Sequence, residues 1–514
     1  MTLSLAKLLD GVSGVTLNQL EALASDDLMV SSMTLDSRAV ASGTLFVALQ
    51  GLTVHGLAYA EAAESAGAVA ILWDNAEGVN TPELSIPVIG INDLPASLGG
   101  IAARLYDYSS QQLQIVGITG TDGKTSVSHF LAQAMNASGE SCSVIGTLGI
   151  GNPSALEKAT HTTPDVISVH RNLHRLSTRG SRCVAMEVSS HALDQQRVAG
   201  VDFDVAVLTN LTRDHLDYHG TVAAYADAKA KLFLAHQPKA AVLNLNDAFG
   251  VRLVEAIAGS ESSALIYAYV IEDVKVSNAE YPAHTLIARN ATFFHEGIRA
   301  DIEYKGEHYQ LSASVLADFN LSNLLATAAS LIALGYEPVK AITLMSEVQT
   351  VPGRIENVQQ LESQAFLTVV DYAHTPAALE SVLKALRIHT EGRLICVFGC
   401  GGDRDAGKRP LMAEVAERLA DAVIVTDDNP RSEDPAQIMA DIEKGFINSG
   451  AVVIEHDRAA AIRQAVELAC KGDVVLVAGK GHEPYQLVGD ESLVFDDREQ
   501  LRSALDALAE RAVA

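Results

Sequence analysis

Short apolar runs, each closing in a polar loop, recur along most of the chain. Near the N-terminus TLFVAL (44–49) and AVAILW (68–73) flank an Ala-rich helical stretch, which predicts a small α/β unit over residues 1–110. The polar segment Tyr106–Gln112 reads as a linker. LQIVGITGTDGKTSVSHFLAQAM (113–135) then runs as apolar strand, glycine turn and helix. SCSVIG (141–146), RCVAMEVSS (182–190), VDFDVAVLTNL (201–211) and KAAVLNLND (239–247) follow, separated by helical stretches. Such alternation predicts a mostly parallel sheet. From about 266 to 316 the pattern alternates (TLIARNATFFH, ADIEYKGEHYQLSAS), predicting an antiparallel sheet appended to the parallel one in a central unit, 111–350. Val351-Pro-Gly-Arg354 marks the next boundary.

The last unit, 351–514, reads as Rossmann-like. Its apolar strands end in RLICVFGCGGDRD (393–405), DAVIVTDDNPRSEDP (421–435) and DVVLVAGKGHE (473–483). In open α/β sheets ligands sit beyond the carboxyl ends of the strands, so three loops rich in Arg, Lys, Asp and His point to a binding crevice. The expected class is therefore α/β, in three units.

At 514 residues and 48% apolar the chain can build several cores, and a net charge of −27 argues against nucleic acid or an anionic membrane as the main partner. It does not exclude a phosphorylated substrate, which needs only local cations. Five cysteines (Cys142, Cys183, Cys396, Cys400, Cys470) show neither a disulfide framework nor zinc-ligand spacing, and buried thiols are expected. The start, MTLSLAKLLDGVSGV, lacks a basic-then-apolar leader pattern, and no apolar run is long enough for a bilayer. The expected location is a reducing cytoplasm.

Gly117-Ile-Thr-Gly-Thr-Asp-Gly-Lys-Thr125 is the first candidate for chemistry. A glycine turn between strand and helix aims backbone N–H groups and the helix N-terminus at one point, Lys124 can neutralise phosphates, and Thr125 can place a hydroxyl on Mg²⁺. The strict phosphate-loop spacing fails because Ile118 stands where glycine is required, so this loop alone says only that a nucleotide phosphate is held. Glu187-Val-Ser-Ser-His191 ends an apolar strand, where a carboxylate can hold Mg²⁺ opposite that loop. In Thr209–Gly220, His215 lies beside Asn210, Asp214 and Asp217 and is a candidate metal ligand. Tyr225–Phe233 has apolar positions at 225, 228 and 232, and its plain reading is a surface helix with solvated lysines.

The phosphate loop resembles the G-x-T-G-T-N-G-K-T signature of the Mur ligases and their relatives the folylpolyglutamate synthetases, with Asp122 in place of the usual Asn. The resemblance implies an ATP- and Mg²⁺-dependent amide ligase. It places Gly120, Thr121, Asp122, Gly123, Lys124, Thr125 and Ser126 at the nucleotide, with Asn320 at the adenine side and Arg354 and Asp371 as further ATP contacts. It also places Thr125, Glu187, His215 and an N-carbamylated Lys229 at the metals, since Tyr225–Phe233 resembles Y-x-x-A-K-x-x-L-F.

Leu35-Asp-Ser-Arg38 resembles the family's uridine-holding segment, with Leu35 and Ser37 as contacts. In the loop Gly51–Gly56, His55 stands where relatives carry Asp. His161-Thr162-Thr163, Ser189, Gln195 and Arg197 resemble sugar-peptide contacts, and His456-Asp-Arg458 matches a further family segment. The resemblance is closest to the branch that adds the third amino acid, to UDP-N-acetylmuramoyl-L-alanyl-D-glutamate, in peptidoglycan precursor synthesis, and hence in cell shape and division. Within it Asp428-Asn429-Pro430-Arg431 accompanies meso-diaminopimelate, joined by Arg404, Gly479 and Glu483. A distal carboxylate can take a bidentate Arg, whereas an Arg would repel the bare ammonium of lysine.

The implied chemistry is phosphorylation of the D-glutamyl γ-carboxylate, with ATP bound between the last two units, followed by amine attack, by a monomer. Lysine-adding and folylpolyglutamate-type ligases are the near alternatives. A kinase or regulatory NTPase and a non-catalytic UDP-sugar-peptide binder are the remote ones.

Overall fold

The computed structural model describes residues 2–15, 28–51, 53–75, 79–272, 281–295, 297–358 and 364–513; Leu52 of the Gly51–Gly56 loop lies outside them. By contacts the chain forms two compact units. The first is Met1–Val270, Glu280–Thr285 and Ala326–Glu337; the second is Ile271–Ala279, Leu286–Leu325 and Pro338–Ala514.

The first unit opens with a parallel sheet of Ser32–Thr34, Thr44–Ala48, Ala68–Asp74 and Val88–Ile91, ordered as in the chain. The helix Leu94–Leu105 buries Leu94, Leu98, Ile101, Ala102 and Leu105, an apolar stripe at helical spacing, against Leu45, Val47 and Leu72. Its first amide donates to Asp74 Oδ1 at 3.2 Å, so the end of a strand caps the next helix. The stretch expected to be a linker is packed instead. Tyr106, Ser109 and Ser110 are buried, Ser109–Gln112 is a 3₁₀ turn, and Ser110 Oγ bonds Asp202 Oδ2 at 3.2 Å. Polar composition hid this because the two serine hydroxyls are satisfied within the protein.

The large sheet of this unit runs Ala155–Glu157, Gly149–Asn152, Cys142–Gly146, Cys183–Glu187, Gln114–Thr119, Val205–Leu208, Ala240–Asn244 and Leu265–Ile271. From Cys142–Gly146 onward its neighbours are parallel. All five residues of Cys183–Glu187 are buried, as expected for a strand covered on both faces. Gln114–Thr119 sits between Cys183–Glu187 and Val205–Leu208. The direction of winding reverses beside it, which is where an α/β sheet opens a crevice.

In the second unit His284–Phe294, Gly297–Tyr304 and Glu307–Ala313 pair antiparallel, from the alternating sequence. A six-stranded sheet follows, ordered Glu356–Asn357, Leu367–Asp371, Val474–Ala478, Leu394–Phe398, Ala422–Val425, Val453–Ile454. Its last five strands are parallel, so the loops after Asp371, Phe398, Val425 and Ala478 emerge at one edge. Ahead of the helix Phe319–Ala333, Ala317 sits at φ +76 and its amide donates to His389 Nε2 at 2.8 Å. His389 must then carry its proton on Nδ1, which donates to Phe294 O at 2.7 Å.

Four cysteines are buried as expected, but Cys470 is exposed, on the turn after the helix Arg458–Leu468. Among the described residues no helix is long and apolar enough to cross a membrane.

His129, on the helix Lys124–Ala137, is 3% exposed, and burial pulls its pKa from 6.5 down to about 4. Folding therefore favours the neutral ring. Its contribution is intact above pH 6.5 and is lost as pH falls towards 4, about 3 kcal/mol in all. Urea unfolding at pH 7.5 and 4.5 should show the wild type losing about 2 to 3 kcal/mol more than His129→Leu between the two conditions.

Candidate active site

The phosphate loop joins Gln114–Thr119 to Lys124–Ala137, whose N-cap, Gly123, has φ +82. Gly120 is obligatory: at φ +150, a Cβ there would lie 1.8 Å from Thr209 Oγ1. The end of the neighbouring strand fixes the loop from one side. Thr209 Oγ1 donates to Asp122 O at 2.5 Å, and Asp122 N donates to Asn210 Oδ1 at 2.9 Å. The Asp122 side chain is exposed. The substitution of Asp for Asn is therefore tolerated because the main chain, not the side chain, sets the turn.

Glu187 fixes the loop from the other side. Its carboxylate is 1% exposed. Oε2 accepts from Thr125 Oγ1 at 2.9 Å and Thr147 Oγ1 at 3.1 Å, and Oε1 accepts from Thr147 N at 2.9 Å. Burial raises its pKa, opposed by the Thr147 amide and the Lys124 charge. Cis ligands of an octahedral Mg²⁺ lie about 2.9 Å apart, so Thr125 and Glu187 fit one edge of such a shell. Among the described residues no three His, Cys, Asp or Glu side chains form a metal cluster. The oxygen pair is the better match to a hard cation shared with phosphates.

Lys124 arches over the loop, donating to Gly120 O at 2.8 Å and Thr121 O at 2.7 Å. Lys229 reaches Gly120 O from the helix Val222–Leu234, at 2.7 Å. Here the surface-helix reading fails. Lys229 is 1% exposed, whereas only Lys231 faces water, paired with Asp194 at 2.8 Å. Burial, then the neighbouring Lys124 charge, pulls the Lys229 pKa down to about 6, with Asp214 and Asp122 opposing. Its Nζ lies 4.5 Å over the Tyr225 ring, and the His215 ring is 6.0 Å from the same ring. His215 has φ +51, stands 3.5 Å from Asp214 and meets His191 edge-on at 4.9 Å.

The expected sugar-peptide residues converge on the same carboxylate strand. Thr163 Oγ1 donates to Glu187 O at 2.8 Å and accepts from Ser189 N at 3.1 Å. Arg197 donates to Thr163 O at 3.0 Å and to Gln195 Oε1 at 2.6 Å. Thr162 meets Thr147 at 3.0 Å, and exposed His161 bonds Thr160 at 3.1 Å. In the N-terminal sheet Asp36 caps Ser37–Ala39 and grips Arg38 in a fork at 2.9 and 2.8 Å. Leu35 and Ser37, half-buried, flank it. His55 accepts from Leu57 N at 3.1 Å and caps its own turn.

The second unit gathers the remaining residues. Arg431 is left-handed at φ +52, and its guanidinium donates to Gly402 O at 2.7 Å, tying the Arg404 loop to its own. Exposed Arg404 bonds Asp403 O at 3.2 Å. Asn429 donates to Glu483 Oε2 at 3.1 Å. Asp428 is buried against Gly479, where a Cβ would come 2.4 Å from its Oδ2. Burial raises the Asp428 pKa, and the Arg458 and Lys480 charges oppose it. Pro430 O packs so close to Gly402 that a Cβ there would sit 1.9 Å away.

Buried Asp371 accepts from Ile355 N at 2.8 Å and Ala373 N at 2.7 Å, and so holds the segment that carries exposed Arg354. Asn320 is buried and bonded to Leu316 O at 2.6 Å and to Asn323 at 2.9 Å. His456 meets Asp427 at 3.0 Å. Arg458 is buried in a two-point pair with Asp497, both contacts 2.8 Å.

Three family models match the chain: Mur ligase family, catalytic domain, at 29–106; Mur ligase middle domain at 118–331; and Mur ligase, glutamate ligase domain, at 353–481. A UDP-N-acetylmuramoyl-L-alanyl-D-glutamate–2,6-diaminopimelate ligase of Pseudomonas aeruginosa is 46% identical over 96% of this chain and 98% of its own. The chain belongs to the Mur ligase family. A ligase of the same description from Alkalilimnicola ehrlichii is 47% identical, over 95% of this Mur ligase and 97% of the relative. A solved structure of a ligase so described is 34% identical, with a TM-score of 0.75 over 99% of this chain and 100% of that one.

Three residues escaped sequence reasoning: Thr147 and Tyr218 in the first unit and Lys480 in the second. Tyr218 bridges Asp194 and Gln195 at 3.0 and 3.1 Å. Thr147 carried one usable signal, its place just past an apolar strand beside the phosphate-loop strand.

Thr147→Val should weaken Mg²⁺-dependent ADP binding about tenfold, because the residue orients from behind the carboxylate that would hold the cation. Calorimetry with and without Mg²⁺ measures this, and Thr147→Ser should bind as the wild type does.

Proposed function

We propose that this Mur ligase joins meso-2,6-diaminopimelate to the D-glutamyl γ-carboxylate of UDP-N-acetylmuramoyl-L-alanyl-D-glutamate, releasing ADP and phosphate. The observation that carries the reading is the set of strand-end loops in the second unit. Arg431 and Arg404 offer guanidinium groups for a carboxylate, while Asn429 and Glu483 offer an acceptor edge for an ammonium. A distal amino-acid head carries both charges; the end of lysine carries only one. The printed names of the full-length relatives support the same substrate pair. In this reading residues 1–110 hold the UDP end, 111–350 the ATP and the acceptor, and 351–514 the amino acid.

The chemistry follows from the residues. Lys124 and the phosphate-loop amides offset charge on the phosphates as the γ-phosphoryl group moves to the glutamyl carboxylate. Thr125 and Glu187 are the groups that would hold Mg²⁺, which when bound neutralises phosphate charge. Thr163, Ser189, Gln195 and Arg197 orient the acceptor. The diaminopimelate amine then attacks the acyl carbon, the C–O bond to phosphate breaks, and the amine proton is lost to solvent. Positioning supplies most of the acceleration in such a step.

We also propose that Lys229 is N-carbamylated. Its buried amine, with a pKa near 6, is neutral at physiological pH and can add CO₂, releasing one proton. The product is an anion beside Lys124 and near His215, and the Lys124 charge that disfavours a protonated Lys229 favours a carbamate there.

Two measurements test these readings. Phosphate release with the UDP-dipeptide should require diaminopimelate, and Arg431→Ala should raise the KM for diaminopimelate about 100-fold, as loss of a charged two-point contact does. The KM for ATP should stay within about twofold; equal turnover of the wild type with lysine would overturn the substrate assignment. Under ¹³CO₂, the wild type should give a ¹³C carbamate signal that Lys229→Met lacks.

A further inference from the structure

Lys480 lies behind the amino-acid loops and touches no surface. It sits between Gly479 (φ +121) and Gly481 (φ +53), where a Cβ would strike Asp428 Oδ2 at 2.4 Å and Tyr372 Cβ at 2.8 Å respectively, so the backbone on either side of it cannot shift. Its side chain is 0% exposed. Nζ donates to Asn429 Oδ1 at 3.1 Å, lies 3.7 Å from Glu483 Oε2 and stands 5.7 Å from the Tyr485 ring centroid. Asn429 Oδ1 also accepts from Leu487 N at 2.9 Å. With two donors on that oxygen the amide cannot flip, and its Nδ2 must face Glu483 Oε2, at 3.1 Å. Both contacts fall on Oε2, and the Glu483 side chain is 20% exposed. Oε1 takes part in neither contact.

The charges nearby give this arrangement a second effect. Arg458 and Asp497 cancel one another in a buried pair. Asp428, Glu483 and Lys480 remain, and Lys480 supplies the positive charge nearest to Glu483. Any cation docking on Glu483 must enter the field of Lys480. A bare ammonium meets that repulsion with only the Glu483 and Asp428 carboxylates, already shared with Lys480, to offset it. A head that also bears a carboxylate does not, because its own negative charge is drawn to the same lysine and to Arg431. We infer that Lys480 is a specificity-determining residue, which positions Asn429 and Glu483 and biases the pocket against amino acids that end in a lone ammonium. The inference rests on the reading that the incoming amino acid docks at these loops.

The test is the ratio of kcat/KM for meso-diaminopimelate to that for L-lysine, measured by phosphate release with full-length enzyme. Lys480→Met should lower the ratio at least tenfold. The KM for diaminopimelate should rise as Glu483 loses its anchor, and the KM for ATP should stay within twofold. In a double-mutant cycle the effects of Lys480→Met and Glu483→Gln should be non-additive, because one acts through the other. Where Lys480→Met does not yield folded enzyme, Lys480→Gln, which can still donate to Asn429 without the charge, reads the same ratio. A role in folding alone would shift all the KM values and leave the ratio unchanged, and that result, or additive effects in the cycle, overturns the inference. A wild type that does not discriminate diaminopimelate from lysine would instead overturn the reading beneath it.

Discussion

Much of the first unit's site hangs on one buried carboxylate. Glu187 ends a strand with every residue buried, and there it would be costly without partners. Its oxygens accept from the phosphate loop at Thr125 and from the adjoining strand end at Thr147, while its carbonyl accepts from Thr163. Three separate stretches of chain are thereby registered on one residue. Gly146 leaves it room, since a Cβ there would sit 2.1 Å from Oε1. One carboxylate residue therefore aligns the phosphate loop with the strand end at Thr147 and the loop at Thr163.

The second unit gathers many charges and pairs several of them internally. Arg458–Asp497 closes on itself, fully buried. Arg409, 2% exposed, pairs with Glu433 at 2.7 Å and Asp441 at 2.9 Å and so binds the two arginine-bearing loops from behind. Those pairs cost desolvation and contribute geometry rather than much stability. Arg404, Arg431 and Glu483 are left at the rim.

The sequence made most legible whatever is encoded locally. Strand, glycine turn and helix at 113–135 could be read because backbone conformation there depends on neighbours in the chain. The same holds for the alternating strands near 300 and for the loops that end the last parallel strands. Lys229 shows the limit. Its helical spacing is compatible with solvent, and its burial comes from packing on the loop around Gly120, more than a hundred residues away. Only the family likeness singled it out. Thr147 and Lys480 had no such flag, because each acts through a partner distant in sequence. Tyr106–Gln112 misled because its serine hydroxyls are satisfied by Asp202 and by its own backbone. Asp122 appeared anomalous until the backbone bonds of the turn explained it.

Arg431 holds φ +52, a conformation that glycine and asparagine adopt freely and β-branched residues resist. The guanidinium proposed to read the substrate therefore sits on a mildly strained backbone. Replacement by Asn or Gly would relax that strain but would also delete the bond to Gly402 O that ties two loops together, so strain and contact pull in opposite directions here. Valine or threonine would meet steric opposition before any question of substrate arose. The routes by which this loop can drift are thus uneven. Backbone strain alone would let the arginine go, whereas the contact across to Gly402 O favours keeping it.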